Sequence, residues 1–261
     1  MSDAAIRAAF EDGALVPYIV AGDPSPEATR EYAQALVDGG ADLLELGLPF
    51  SEPVADGPTI QAGIRRALDA GMTPDRYLEI VANLDLGVPI LAMTYYNMLY
   101  RYGDGAVEPF VADAAEAGLS GLIVPDLPAE ESEPLLEACG THDLATIFIV
   151  APTTTEERLA RIVDLASGFL YVQARMGTTG AKADVSDHTG RSLERIPETD
   201  VPKAVGFGVS SGEQAAEIVA GGADGVVAGS VFVDVIADGT NVPARLEKRA
   251  AELAAGVRSG R

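Results

Sequence analysis

Two carboxyl groups raise the first chemical question. Glu45 sits inside the apolar run Leu43 to Leu48 (LLELGL), and Asp56 follows in a loop broken by Pro49 and Pro53. A carboxyl flanked by Leu44 and Leu46 is shielded from water, which disfavours its charged form and raises its pKa. It can then give and take protons near neutrality. The bland alternative is a glutamate inside the fold paired with an arginine, and the residue types leave both readings open. Asp56 lies in an Asp-Gly-Pro turn ahead of a helix start at Pro58, where geometry favours a turn or cap residue. Two carboxyls close together can also divide acid and base roles, though spacing alone does not bring these two together.

A second chemistry is suggested by glycine and serine. The segments Gly206 to Gln214 (GFGVSSGEQ) and Val227 to Phe232 (VAGSVF) each lead into a helix-like stretch, so their backbone N–H groups suit a phosphate. Neither carries a lysine or arginine, which leaves the backbone and the helix dipoles to do the binding. Gly-rich turns also serve simply to turn. Between Arg175 and Gly190 the chain (RMGTTGAKADVSDHTG) shows no apolar period and reads as a lid or a surface insertion, its position favouring the lid.

Other chemistries are disfavoured. The lysines are Lys182, Lys203 and Lys248, none at a strand end where a Schiff base could form, and the histidines are only His142 and His188, few for a metal site. Cys139 is the only cysteine, which excludes an internal disulfide, a CxxC pair and a multi-cysteine zinc site. Eighteen basic against forty acidic residues give a net charge of −22, which repels nucleic acid. The acids are spread through every segment, as expected of a solvated acidic shell suited to high salt. With no basic, apolar leader and no apolar run of membrane-spanning length, the expected location is the cytosol and no membrane contact is expected.

These residues must be held by elements, and the elements alternate. Apolar runs begin at Leu15, Leu43, Val88, Gly121, Leu144, Gly168, Ala204 and Asp224, and helix-like stretches follow at Ser25, Pro58, Val107, Ala129, Thr155, Arg191, Glu213 and Pro243. Ser2 to Glu11 predicts a leading helix, and Thr73 to Leu84 an extra one with Tyr77, Ile80, Val81 and Leu84 on one face. Continuous apolar strands indicate a parallel sheet covered by helices, and eight such units in roughly 250 residues is the size of a (β/α)8 TIM barrel. We expect one such domain over residues 1–261. A doubly wound sheet usually shows GxGxxG after its first strand, where this chain has AGDPSP.

In a barrel the chemistry lies at the C-terminal strand ends. That filter selects Tyr18 and Asp23, Glu45 and Asp56, Tyr95 and Asn97, Asp126, Tyr171 with the loop after it, Gly208 to Gly212, and Gly229 with Ser230.

At this point the residues match a family. LELGLPFSEPVADGPTIQ, with Glu52 where an Asp is usual, resembles the signature of the tryptophan synthase alpha subunit. The resemblance runs through VPYIVAGDP, MTYYNMLYRYG, IVPDLPAEE, RMGTTGA, GFGVSS and the final AGS. It implies retro-aldol cleavage of indole-3-glycerol phosphate to indole and glyceraldehyde 3-phosphate, with no cofactor or metal, indole passing to a beta subunit in an alpha2-beta2 complex. It also implies Glu45 as the acid/base and Asp56 as the partner of the indole N–H. Tyr18, where Phe is usual, and Tyr171 would position the substrate. Phe207, Gly208, Gly180, Gly229 and Ser230 match the phosphate-binding positions, and Thr179 the lid threonine. Ala174 and Thr178 depart from the usual lid residues. Partner contact is implied around Asp23, Pro49 to Val54, Asn97 to Tyr102 and Asp126 to Pro128. The alternatives are another phosphate-binding barrel enzyme, or a barrel that only activates a partner.

Overall fold

The apolar runs become short parallel strands hydrogen-bonded in chain order, with the eighth closing on the first. The computed structural model describes residues 2–174, 190, 192–206 and 208–261. The strands are β1 (Ala14–Val20), β2 (Leu44–Gly47), β3 (Ile90–Met93), β4 (Gly121–Ile123), β5 (Ala145–Val150), β6 (Leu170–Gln173), β7 (Lys203–Gly206) and β8 (Gly225–Ala228). The expected (β/α)8 barrel is observed. All of β1 and β2 is buried on both faces, which is why their sequences are continuously apolar.

Alternation then sorts the side chains into two cores. Val16, Leu43, Leu91, Ile123, Ile147, Phe169 and Val227 fill the barrel, while Leu15, Leu44, Leu46 and Val226 face the surrounding helices. Glu45 is held between Leu44 and Leu46 on the strand and shares the parity of Leu43. It therefore points inward.

The helices described are α1 (Ser2–Ala8), α2 (Pro26–Asp38), α3 (Pro58–Asp69), α4 (Pro74–Ala82), α5 (Tyr96–Tyr102), α6 (Glu108–Glu116), α7 (Glu133–Thr141), α8 (Glu156–Leu165), α9 (Gly212–Ala220), α10 (Ser230–Asp238) and α11 (Val242–Ser259). Ser25, Thr73, Thr155 and Ser211 cap α2, α4, α8 and α9, each side-chain oxygen accepting the N–H three residues on. At the lower end α1 and the turn after it act as a plug: Ile6 and Phe10 join the inner core, with the Phe10 ring 5.2 Å from that of Phe169.

Three elements differ from expectation. Asn97 to Tyr102, expected as loop after a strand reaching Tyr96, forms with Tyr96 the helix α5; the Asp126 carboxylate accepts the Tyr96 N–H at 2.9 Å and supplies a cap from another unit. The stretch after Gly229, read only as a helix start, runs on as the full helix α10 despite its β-branched sequence SVFVDVIAD, because burial of Phe232, Val233 and Ile236 outweighs local preference. Ala129 to Cys139 divides into a 3-10 turn (Ala129–Glu131) and α7, since Pro134 has no N–H to continue a helix and fits a first turn.

The surface carries the charge. Between α2, α11 and the segment after α4 lies a groove of ≈ 550 Å³ lined by Glu27, Glu31, Asp38, Asp85 and Glu247 against the single cation Arg30. Such repulsion is screened within about 3 Å at molar salt. Thermal unfolding in a potassium chloride series should give a midpoint rising by several degrees from dilute to multimolar salt. A midpoint independent of salt would sink this expectation.

Candidate active site

β2 brings Glu45 to the mouth, and α4 steadies the strand from behind. The Tyr77 hydroxyl, fully buried, donates to the Leu46 carbonyl at 2.9 Å. Glu45 is 2% exposed and its Oε2 has no hydrogen-bond partner among the described residues. No ion pair among those residues reaches it. Arg66, in the last turn of α3, is committed to Asp23, with Nε to Oδ1 and Nη2 to Oδ2 both 2.7 Å. Among the described residues no arginine pairs with Glu45. Burial, reinforced by the charge of Asp56, pushes the Glu45 carboxyl up to about 8. A carboxyl so placed can hold or release a proton near neutrality.

Asp56 is not a cap. α3 begins behind Gly57 with no side-chain cap bond, and the Asp56 side chain turns instead toward Tyr95. The Tyr95 hydroxyl donates to Oδ2 at 2.6 Å and accepts the Ala55 N–H at 3.0 Å. Burial raises the Asp56 pKa and the bond from Tyr95 opposes the rise. Two neighbouring carboxyls thus have different surroundings: one has an orphan oxygen, the other is held by a phenol. This is the arrangement that separates acid from base.

Tyr18 and Tyr171 complete the inner wall. Tyr18 is opposite Glu45 in the β1–β2 register, and burial followed by the charges of Asp56 and Glu45 pushes its phenol well up; burial, then Glu45 and Asp56, does the same to Tyr171. Each ring lies against a glycine of a nearby strand. A side chain on Gly47 would run into the Tyr18 hydroxyl, and one on Gly206 into that of Tyr171. Gly229 meets the Tyr18 ring and precedes Ser230, the first residue of α10, so a helix N-terminus opens beside the inner wall. Gly208 takes a left-handed φ of 95° ahead of the start of α9. Thr179, Gly180 and Phe207 lie outside the described residues.

Two residues selected by the strand-end filter have other duties: Asp23 is locked to Arg66, and Asp126 caps α5. The strand-end filter selected Tyr95, but nothing in the sequence linked its hydroxyl to Asp56. Around the mouth, Val54 (80% exposed) and Tyr100 (47%) are the exposed large hydrophobic residues among those described. They belong to the two segments, around Pro49 to Val54 and Asn97 to Tyr102, that the resemblance assigns to partner contact.

A closed parallel barrel with a buried and a half-buried carboxyl at its C-terminal mouth has the architecture of a (β/α)8 enzyme. Comparison with known proteins narrows this. The family model described as tryptophan synthase alpha chain matches residues 5–259. The tryptophan synthase alpha chain of Halobacterium salinarum is 60% identical, the match covering 100% of this chain and 98% of the relative. That of Haloferax volcanii is 56% identical, over 97% and 94%. Among solved structures, the aminoacrylate-bound tryptophan synthase from M. tuberculosis superposes with a TM-score of 0.84 at 36% identity, covering 97% and 98% of the two chains. The tryptophan synthase complex from Pyrococcus furiosus gives 0.82 at 37% identity, covering 93% and 98%. The chain belongs to the tryptophan synthase alpha chain family. Its acidic surface accords with halophilic relatives such as the first two.

Proposed function

We infer that this chain is a carbon–carbon lyase of tryptophan biosynthesis that cleaves indole-3-glycerol phosphate into indole and glyceraldehyde 3-phosphate. The observation that carries the reading is the buried Glu45 carboxyl, with an oxygen lacking any partner among the described residues, beside an Asp56 held in place by a phenol. The protonated Glu45 gives its proton to the indole ring carbon that bears the side chain, while Asp56 draws on the ring N–H. The ring then accepts the electron pair of the breaking carbon–carbon bond. The adjacent hydroxyl becomes a carbonyl and returns its proton to Glu45, so that no proton is lost or gained. Tyr18 and Tyr171 flank the ring. Gly208, Gly229 and Ser230, together with Thr179, Gly180 and Phe207, would hold the phosphate and close over it.

The same reading makes the chain one cytoplasmic barrel domain; no helix among the described residues is long and apolar enough to cross a membrane. The partner is a tryptophan synthase beta subunit in an alpha2-beta2 complex, docking over Val54 and Tyr100 at the mouth and receiving indole there.

Indole release from indole-3-glycerol phosphate, with and without the beta subunit, tests the proposal; no indole in either case would overturn it. Turnover should also have two limbs. The Glu45 proton is lost as pH rises through about 8, so kcat/KM should fall on the basic side. On the acidic side it should fall as Asp56 takes up a proton. A rate that continues to climb above that pH would remove Glu45 as the acid.

A further inference from the structure

We propose that Tyr95 is the positioning residue of this site: its hydroxyl fixes the Asp56 carboxylate and, through the Ala55 N–H, the loop that carries it. The inference deepens the reading of Asp56 as the partner of the indole N–H and rests on it.

Three observations converge. First, the Tyr95 hydroxyl is the only hydrogen-bond donor to the Asp56 carboxylate among the described residues, at 2.6 Å. Second, the same oxygen accepts the Ala55 N–H at 3.0 Å, so one phenol binds two successive residues of the loop, one by side chain and one by backbone. An aspartate on a loop has two free side-chain torsions and a mobile backbone, and a phenol anchored on a strand end removes freedom from both. Third, the ring is 3% exposed and lies 5.1 Å from that of Phe50 at the start of the same loop, so the phenol itself is held. Tyr95 immediately precedes α5, whose first N–H is capped by Asp126. The chain of contacts thus runs from the loop after β4, through the end of β3, to the loop after β2.

The hydroxyl acts on charge as well as on position. A donor to the carboxylate favours its ionised form, and this opposes the burial that would otherwise keep Asp56 protonated. Among the described residues the other titratable groups facing the site are Glu45 on β2, Tyr18 on β1 and Tyr171 on β6, with Asp126 acting on Tyr95 from the loop after β4, and none of these is a cation. In their company the phenol is the group that holds Asp56 as a base.

The test is Tyr95→Phe in the complex with the beta subunit, assayed for indole release across pH. The ring and its packing on Phe50 remain, so the thermal midpoint should stay within a few degrees. kcat is expected to fall about tenfold with KM little changed, and the acidic limb of the profile should move up by about one pH unit. A merely structural tyrosine would not move that limb. Asp56→Asn serves as control, and the double variant should be no slower than Asp56→Asn alone. If Asp56→Asn is inactive while Tyr95→Phe keeps the parent rate and profile, the role of Tyr95 is overturned and that of Asp56 stands. If Asp56→Asn is itself fully active, both fall. Should Tyr95→Phe prove unstable, its cost in the Asp56→Asn background decides: a further loss as large as in the parent overturns the proposal.

Discussion

Glu45→Gln should release no measurable indole while the barrel remains folded. The substitution preserves shape and removes the ability to deliver or receive a proton, so a loss of at least about a thousandfold in kcat is expected, the upper range for proton transfer to carbon by one positioned group. Stability should move the opposite way. In the folded chain Glu45 keeps its proton up to about 8, against an ordinary value of 4.5 when unfolded. Between those values the folded state binds more protons than the unfolded one, so the group lowers stability progressively as pH rises through that window. Glutamine escapes this. Relative to the parent, the variant should gain a few kcal/mol of stability between about pH 5 and about pH 9, since each tenfold difference in proton affinity between the folded and unfolded chain is worth about 1.4 kcal/mol. Urea unfolding at the two pH values, alongside the indole assay, measures both effects. Appreciable turnover would reassign the acid. A pH-independent stability difference would show that the parent carboxyl is solvated and not buried.

Arg66→Met is expected to be the most damaging single change away from the carboxyl pair. Asp23 is 1% exposed and receives both of its hydrogen bonds from Arg66, which is itself about one-third exposed. Burial raises the Asp23 pKa and the guanidinium opposes this. Without the arginine, a buried carboxylate has no counter-charge, a situation that costs about 3–5 kcal/mol. At about 2–4 °C per kcal/mol for a chain approaching this size, the midpoint should drop by roughly 10 °C or more. The stranded aspartate can escape only by taking a proton, so the loss should deepen as pH rises. Removing both charges, in Asp23→Asn with Arg66→Met, should be milder than Arg66→Met alone, since no uncompensated charge remains. A double variant less stable than the single one would mean that the pair acts through packing and not through charge.

The barrel was legible because the period of burial is written in the chain: strands covered on both faces are apolar throughout, and helix starts announce themselves through Ser25, Thr73, Thr155 and Ser211. The shielding of Glu45 was legible from its neighbours Leu44 and Leu46, whereas its inward turn, shared with Leu43, needed the closed barrel. What escaped was whatever depends on contacts between units. α5 needs the Asp126 cap from the next unit, α10 needs its buried face, and the turn-like Asp-Gly-Pro around Asp56 gave no hint of a phenol thirty-nine residues away in sequence. Asp23 and Asp126 satisfied the same strand-end filter as Glu45, and only their partners set them apart. The resemblance supplied the role of Asp56, which local geometry argued against.

The glycines that face the two inner tyrosines have a consequence for how this mouth can change over generations. Gly47 and Gly206 are already the smallest residues available, and any replacement would collide with a tyrosine hydroxyl. Positions 18 and 47, and positions 171 and 206, are therefore expected to drift only as pairs, with a shorter ring arriving before a larger neighbour. An attempt to enlarge the site for a bulkier ring system gains nothing at the glycines. At these two pairs of positions, room can be gained only by shortening Tyr18 or Tyr171.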